Sequence, residues 1–306
     1  MIVRPRPSAL ALFFVLRGSI VPRIFSRILV ITLLSCLVVW MYHQRWFSPA
    51  HLSAVPFSLF GLALSVFMGF RNNVCYDRWW EARKQWGELI VQARSLARES
   101  AVLLAASTAN PVQERIVRRV VGFGYALAAR LREEDMAAAA RPWVPQDEAE
   151  ALAACRNVPD ALLLAINRDL AGCLRRGELS DIVYQGLTGR VAACAAIQAS
   201  CERIKFTPSP YAYSLLLHRT AWLFCLLLPF GLVGALEFLT PVAVSIVAYT
   251  FFGLDALGDE LEDPFGKDEN DLPLSALART IEIDLLEGLG VRPLPEPPRP
   301  VDFVLH

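Results

Sequence analysis

The sequence predicts an all-α integral membrane protein with four transmembrane helices and a helical cytosolic region. Its 306 residues are 55% hydrophobic and only 20% charged, whereas soluble domains carry about 25% charged residues. The apolar residues are concentrated in four runs, at 28–41, 55–70, 221–236 and 241–257. Each run approaches the ~20 residues that span a bilayer. Segments with the alternating pattern of a β-strand are absent, so the rest of the chain is also expected to be helical.

Basic residues flank these runs mainly on one side. They precede the first run and follow the second, whereas the short joins at 43–49 and 237–240 carry only Arg45. By the positive-inside rule, both termini and the long middle segment are therefore expected to be cytosolic. The predicted order is a cytosolic N-terminal segment (1–24), transmembrane helices 1 and 2 (25–70), a helical cytosolic region (71–217), transmembrane helices 3 and 4 (218–257), and a cytosolic acidic segment with the C-terminal tail (258–306). Arg17 and Arg23 interrupt the apolar start of the chain, so a cleaved signal peptide is not expected.

The second run is expected to continue as a helix beyond the membrane. No proline occurs between Phe57 and Ala109, and Asn110-Pro111 then breaks the pattern. One helix of this extent would measure ~80 Å, against ~30 Å of hydrocarbon. Further helices are predicted at 114–132, 160–176 and 180–206, with Ser180 or Asp181 as the N-cap of the last. The proline-rich stretch 292–300 is predicted to be extended.

One face of the second run is a candidate pore lining. Leu62, Val66 and Phe70 are spaced at i, i+4 and i+8, which places them on one side of a helix. In a symmetric oligomer such a face can line an axial pore, where rings of apolar side chains gate by dewetting. The alternative is that the face contacts lipid or another helix, as most apolar faces of membrane helices do.

Carboxylates are dense after the fourth run. This acidic stretch contains Asp255, Asp259, Glu260, Glu262, Asp263, Asp268, Glu269 and Asp271. Several oxygen ligands at this density suit calcium or magnesium, and a metal held by Asp255 and Asp259 would suit chemistry on a lipid phosphate. The alternative is a solvated, charged face where the helix leaves the membrane.

Other signals are weaker or absent. Trp79, Trp80 and Trp86 lie beyond the second run, as an interfacial anchor or as part of a subunit contact. The four histidines lack metal-ligand spacing, and the sequence contains no nucleophile elbow, phosphate loop or dinucleotide fingerprint. An enzyme is therefore not expected. Zero formal net charge and the lack of a basic stripe argue against a nucleic-acid partner.

Two separated motifs resemble those of the bestrophin family, especially its bacterial branch. The first is Gly69-Phe70-Arg71-Asn72-Asn73 followed by 76–83, with the sequence YDRWWEAR. The second is Glu260-Leu261-Glu262-Asp263-Pro264-Phe265-Gly266 followed by Asp268-Glu269-Asn270-Asp271-Leu272-Pro273. The similarity extends from about Ile2 to Leu286, with the four apolar runs in the expected order.

The resemblance implies a homopentameric ion channel with four transmembrane helices per subunit around one axial pore. It places the pore neck on three apolar positions of the second transmembrane helix, which fall on Leu62, Val66 and Phe70. It places a second constriction, the cytosolic aperture, on the apolar residue after Ser180-Asp181, which is Ile182. The implied partners are other copies of the chain, membrane lipids and permeant monovalent ions.

The sequence also departs from the animal members of the family. They carry aromatic residues at most neck positions, whereas this chain has Leu62 and Val66, so their anion selectivity does not transfer directly. Their calcium-binding loop is an unbroken acidic run after Pro-Phe-Gly. Here Lys267 replaces the first acid, and a lysine opposes a divalent cation electrostatically. Asp268 and Asp271 remain calcium candidates, but no cofactor is expected to be required.

The sequence is therefore interpreted as a channel of a bacterial inner membrane that passes small monovalent ions, either anions such as chloride or cations such as sodium and potassium. Two rivals stay open. One is a metal-dependent membrane enzyme acting on a lipid phosphate, and the other is a non-conducting membrane scaffold.

Overall fold

The chain folds into α-helices that form two compact units in a computed structural model. The structure describes residues 1–5, 8–12, 14–46, 54–104 and 111–305. We call Pro5–Trp79 together with Pro208–Asp263 the membrane unit, and Met1–Arg4, Trp80–Thr207 and Pro264–His306 the second unit. In chain order the α-helices are α1 (Ala9–Leu12), α2 (Val21–His43), α3 (Ala54–Leu103), α4 (Pro111–Leu131), α5 (Met136–Ala140), α6 (Gln146–Ala153), α7 (Val158–Arg175), α8 (Asp181–Phe206), α9 (Tyr211–Leu236), α10 (Thr240–Glu262) and α11 (Leu274–Gly288).

The apolar runs lie on helices that are long enough to cross a bilayer. By length and composition, three helical stretches of the described residues qualify: Val21–His43, Val55–Leu103 and Tyr211–Glu262. A 3₁₀ turn at Glu237–Leu239, with Glu237 at a φ of 47°, divides the last stretch into α9 and α10. These two helices pack against each other, so the chain reverses at this turn. The predicted short join between the third and fourth runs is confirmed.

The core of the membrane unit consists of side chains from α2, α3, α9 and α10. Ile31, Phe224 and Phe252 belong to one buried cluster, to which α3 contributes Leu64 and Met68. Because the two α3 residues are four apart, they lie on a single face of the helix. The opposite face of α3 is consequently left outside this core.

The prediction that the second run continues past the membrane is confirmed. Helix α3 is unbroken for 50 residues, from Ala54 to Leu103, which corresponds to about 75 Å. The predicted break at Asn110 lies outside the described residues, and Pro111 is the first residue of α4. Within the second unit, Trp86 on α3 is fully buried. The hypothesis that this tryptophan is an interfacial anchor is therefore wrong, because its side chain belongs to a protein core.

The second unit is organised around α4. This helix is buried on most sides and contacts α7, α11, α5 and α8. Gly122 permits one close approach, since an added Cβ would lie 3.0 Å from Cβ of Trp143. The predicted helices at 114–132, 160–176 and 180–206 are confirmed as α4, α7 and α8. After α11 the described chain is non-helical through 305, as predicted for the proline-rich tail.

Candidate functional site

The three predicted neck residues form an exposed apolar stripe on α3. Leu62, Val66 and Phe70 expose 65%, 48% and 59% of their surface in the single subunit. Leu64 and Met68, on the opposite face, expose only 3% and 1%. The helix therefore uses one face to pack within its own subunit and presents the predicted neck face outward. This arrangement leaves the stripe available to line a pore or to contact another surface.

The residue after the stripe, Arg71, points to the opposite side of α3 and is buried against α10. Its guanidinium is only 2% exposed. Nη1 donates to the carboxylate of Asp255 at 3.1 Å and to its carbonyl at 3.3 Å, and Nη2 donates to the carboxylate of Asp259. Glu262 lies 3.8 Å from Nη2. Three carboxylates on one face of α10 thus surround a single arginine from α3.

Asp255 is the centre of this ionic cluster, and its side chain is also 2% exposed. In addition to Arg71, its carboxylate accepts a hydrogen bond from Nη1 of Arg27 on α2 at 3.3 Å. His218 on α9 places Nδ1 2.7 Å from the same carboxylate. One buried aspartate therefore connects all four long helices of the membrane unit. Buried charges are tolerated when they are paired and hydrogen-bonded, as they are here.

A close contact accompanies this cluster. The side chain of Asn72 donates from Nδ2 to the carbonyl of Leu254 at 3.1 Å. A Cβ added at Gly258 would lie 2.7 Å from Oδ1 of Asn72 and 3.1 Å from Nη1 of Arg71. A larger residue at position 258 would therefore have to displace the side chain of Asn72 or Arg71. The side chains of both Arg71 and Asn72 therefore bond to α10.

Ile182, the predicted aperture residue, is displayed at the start of α8 in the second unit. Ser180 caps this helix, because its Oγ accepts the backbone N–H of Val183 at 3.4 Å. Leu179 is buried just before the cap, whereas Ile182 is 83% exposed. The cap and the buried leucine together hold an unusually exposed isoleucine outward from the first helical turn. The alternative N-cap, Asp181, is the first helical residue instead.

The calcium candidates Asp268 and Asp271 lie in a tight loop of the second unit. The carboxylate of Asp271 accepts the backbone N–H of Asp268 at 2.7 Å, and the Asp271 N–H donates to the Asp268 carbonyl at 3.1 Å. Asp271 is 4% exposed. A Cβ added at Gly266 would lie 2.5 Å from Oδ2 of Asp271, so a larger residue at this position would displace the carboxylate. Asp271 therefore organises its own loop.

Calcium binding at Asp268 and Asp271 stays a prediction. Calcium requires six to eight oxygen ligands, but the described residues contain no group of three or more histidine, cysteine or acidic side chains suited to a metal. Lys267 lies beside the loop and pairs with Glu134 at 2.5 Å. The acidic stretch therefore serves several purposes, since Asp255 and Asp259 neutralise Arg71 whereas Asp271 stabilises a loop.

The fold and these features define a class of protein: an all-helical membrane protein in which a long helix presents an apolar stripe beside a buried ionic cluster. Comparison with known proteins assigns the family. The model of the Bacterial/Fungal Bestrophin protein matches residues 1–287, and the chain belongs to this family. Bestrophins of this kind are channel proteins, and the chain is accordingly not an enzyme.

The relatives extend over nearly the whole chain. A voltage-dependent anion channel-forming protein of Mesorhizobium japonicum is 43% identical over 296 residues, which cover 96% of this chain and 94% of the relative. The voltage-dependent anion channel-forming protein YneE of Escherichia coli is 41% identical, with 94% and 93% covered. The crystal structure of a bacterial bestrophin homologue from Klebsiella pneumoniae superposes with a TM-score of 0.84 at 38% identity, covering 88% of this chain and 100% of that one.

Proposed function

We propose that the chain forms a homopentameric channel that passes small monovalent ions by passive diffusion. The observation that carries the proposal is the outward-facing stripe of Leu62, Val66 and Phe70, opposite a fully packed face of the same helix. Five copies around an axis would turn these residues into three stacked apolar rings, which form the neck. Such rings favour an ion-conducting pore that gates by dewetting. Ile182 would form a second ring at the cytosolic aperture.

The proposed topology has four membrane-spanning helices, α2, the first part of α3, α9 and α10, with both termini in the cytosol. It is supported by the reversal of the chain at Glu237–Leu239 and by the arginines that flank the runs on one side. The compartment that we propose is the bacterial inner membrane. Membrane lipids and other copies of the chain are the partners.

The permeant ion is chloride or another small anion if the chain acts as the names of its relatives state. The neck itself carries no charged side chain to decide between anions and cations. A bilayer recording of the purified protein under a potassium chloride gradient distinguishes them. A reversal potential near the chloride equilibrium value identifies an anion channel, and one near the potassium value identifies a cation channel. An intact pentamer without current would favour a non-conducting scaffold and refute the proposal.

Val66→Ala tests the neck directly. Removing two methyl groups from the middle ring should widen the narrowest apolar segment, and we expect the single-channel conductance to rise or the selectivity to weaken. Single-channel recording measures both. Val242→Ala is the matched control, since Val242 is 59% exposed on a different helix, α10, and loses the same atoms. Equal currents in wild type and Val66→Ala would contradict the assignment of the neck.

Calcium removal is expected to leave the current unchanged. Asp271 already accepts a backbone hydrogen bond within its loop, and Lys267 adds a positive charge beside it. The measurement is the open probability in a bilayer before and after a calcium chelator is added to both chambers. Opening that depends on micromolar calcium would show that the loop rearranges into a binding site.

A further inference from the structure

The exposed face of α3 that carries the proposed neck continues beyond Phe70. Helical geometry, with 3.6 residues per turn, places Asp77 within about 20° of Phe70 around the axis and about 10 Å further along it. Asn73 lies between them on the same side. Both residues are exposed and belong to the membrane unit, within the same unbroken helix. The apolar stripe is thus followed by an amide and then by a carboxylate.

Asp77 has no partner for its charge within the described part of the subunit. Its side chain makes neither a hydrogen bond nor an ion pair there, although the same helix carries Arg71 and Arg78 nearby. Neither arginine lies three or four residues from Asp77, which is the spacing at which side chains on a helix meet. Here the helix directs the arginines away from it.

The two arginines are used on the opposite side of α3. Arg71 is enclosed by the carboxylates of α10, and Arg78 donates from Nε to the carbonyl of Glu262 at 3.4 Å. Of the charged residues between Phe70 and Trp79, only Asp77 therefore lies on the neck face. Between Phe70 and Trp79 the charge on this face is therefore negative, even though this segment as a whole carries two arginines and one aspartate. Lys84 lies on the same side about 10 Å beyond Asp77.

We propose that Asp77 is a selectivity-determining residue, whose carboxylate raises the permeability of cations relative to anions as ions leave or approach the neck. The proposal rests on the proposed function, because it requires that the face of Leu62, Val66 and Phe70 lines the pore. In a symmetric channel each subunit contributes one carboxylate, and the copies form a ring about two helical turns beyond the last apolar ring. Rings of acidic side chains attract cations in this way in other channels.

The effect acts through space, so it depends on salt. The Debye length is about 10 Å at 0.1 M and about 3 Å at 1 M, so the field of the carboxylates extends further into the pore in dilute salt than in concentrated salt. The carboxylates should therefore concentrate cations strongly in dilute salt and weakly in concentrated salt. A residue that merely shaped the pore wall would change the conductance by the same factor at all salt concentrations.

The experiment compares wild type, Asp77→Asn and Asp77→Glu in bilayers under potassium chloride gradients of low and high mean concentration. In Asp77→Asn we expect the cation-to-anion permeability ratio to fall by roughly threefold or more near 0.02 M and to differ little near 1 M, following the change in screening. Asp77→Glu should retain the wild-type ratio. Asp147→Asn, which removes an exposed carboxylate from α6, is the charge-matched control and should leave the ratio unchanged.

The outcomes separate this proposal from the proposed function. An unchanged permeability ratio in Asp77→Asn, in a protein whose conductance still responds to Val66→Ala, would overturn the role of Asp77 and leave the channel intact. A shift that is the same at both salt concentrations would also overturn it. Absence of current in wild type would refute the channel and this proposal together. Gel filtration of each variant verifies that its assembly is unaltered.

Discussion

Asp255→Ala should be one of the most destabilising single substitutions in the membrane unit. The carboxylate is 2% exposed and interacts with Arg71, Arg27 and His218. Its removal leaves the guanidinium of Arg71, itself 2% exposed, without its nearest buried counter-charge. Breaking a buried ion pair by deleting one partner costs about 3–5 kcal/mol, because the remaining charge is desolvated and uncompensated. We expect a correspondingly large fall in the melting temperature of the detergent-solubilised protein.

Asp259→Ala is the matched control for that prediction. Asp259 also accepts a hydrogen bond from Arg71, but its side chain is 56% exposed. Because water can replace an exposed partner, we expect the free energy of unfolding to fall by about 1 kcal/mol or less. The double variant Arg71→Met with Asp255→Leu should recover much of the stability that Asp255→Ala loses, since it removes both charges from the interior. Similar melting temperatures for the two alanine variants would show that burial does not govern this cluster.

The ionic cluster also explains why the apolar stripe faces outward. Arg71 follows Phe70 directly, and consecutive helical residues point about 100° apart. Fixing Arg71 against α10 therefore fixes the direction of Phe70, and with it the direction of Val66 one turn earlier. A loosened cluster should let α3 rotate, which would disturb the proposed neck without altering any of its residues. Conductance changes in a stable variant such as Asp259→Ala would report that coupling.

The extent of α3 and its exposed face could be predicted from the sequence because they depend on local pattern. An unbroken proline-free stretch and the i, i+4, i+8 spacing of Leu62, Val66 and Phe70 require only the helical period. The cap at Ser180 was predictable for the same reason, since capping involves neighbours in sequence.

The role of Arg71 could not be predicted, because its partners lie 184 and 188 residues away along the chain. In the sequence it is one of several arginines from which the cytosolic side is predicted. Likewise Asp255 and Asp271 read as members of one acidic stretch. In the structure Asp255 belongs to the membrane unit and Asp271 to a loop of the second unit. The high density of acidic residues along the sequence does not reveal that these two carboxylates have different partners.

The second large effect is expected in the second unit, at the contact between α4, α6 and α7. Arg119 on α4 is 10% exposed and donates to both oxygens of Glu148, at 2.8–3.1 Å, and to Asp169 at 2.5 Å. Arg115 donates to the same Asp169 through two hydrogen bonds of 3.1 Å. Two arginines of α4 thus converge on one carboxylate of α7. Burial raises the pKa of Asp169, but the hydrogen bonds from Arg115 and Arg119 outweigh it, so the pKa lies below its ordinary value.

Asp169→Asn should therefore lower stability in a manner that depends on pH. Asp169 is 19% exposed. The free energy of unfolding at neutral pH should therefore fall by about 2 kcal/mol, which lies between the costs of breaking a surface ion pair and a buried one. A carboxylate with a depressed pKa stabilises the folded state fully above its unfolded pKa of about 3.9, and this contribution is lost as the pH falls through the folded pKa. The difference in melting temperature between wild type and Asp169→Asn should be constant from about pH 8 to pH 5 and should shrink below about pH 4.

The measurement is a series of thermal unfolding curves of the full-length protein in one detergent across that pH range. Asp147→Asn, which removes an exposed carboxylate from α6, should melt close to wild type at every pH. A gap between wild type and Asp169→Asn that widens as the pH falls would reverse the sign argued here, and it would mean that Asp169 binds its proton more tightly in the folded state. A difference in melting temperature that shrinks on acidification would confirm that the two arginines of α4 stabilise the carboxylate. Protonation removes the negative charge of Asp169 from wild type, and Asp169→Asn lacks this charge at every pH.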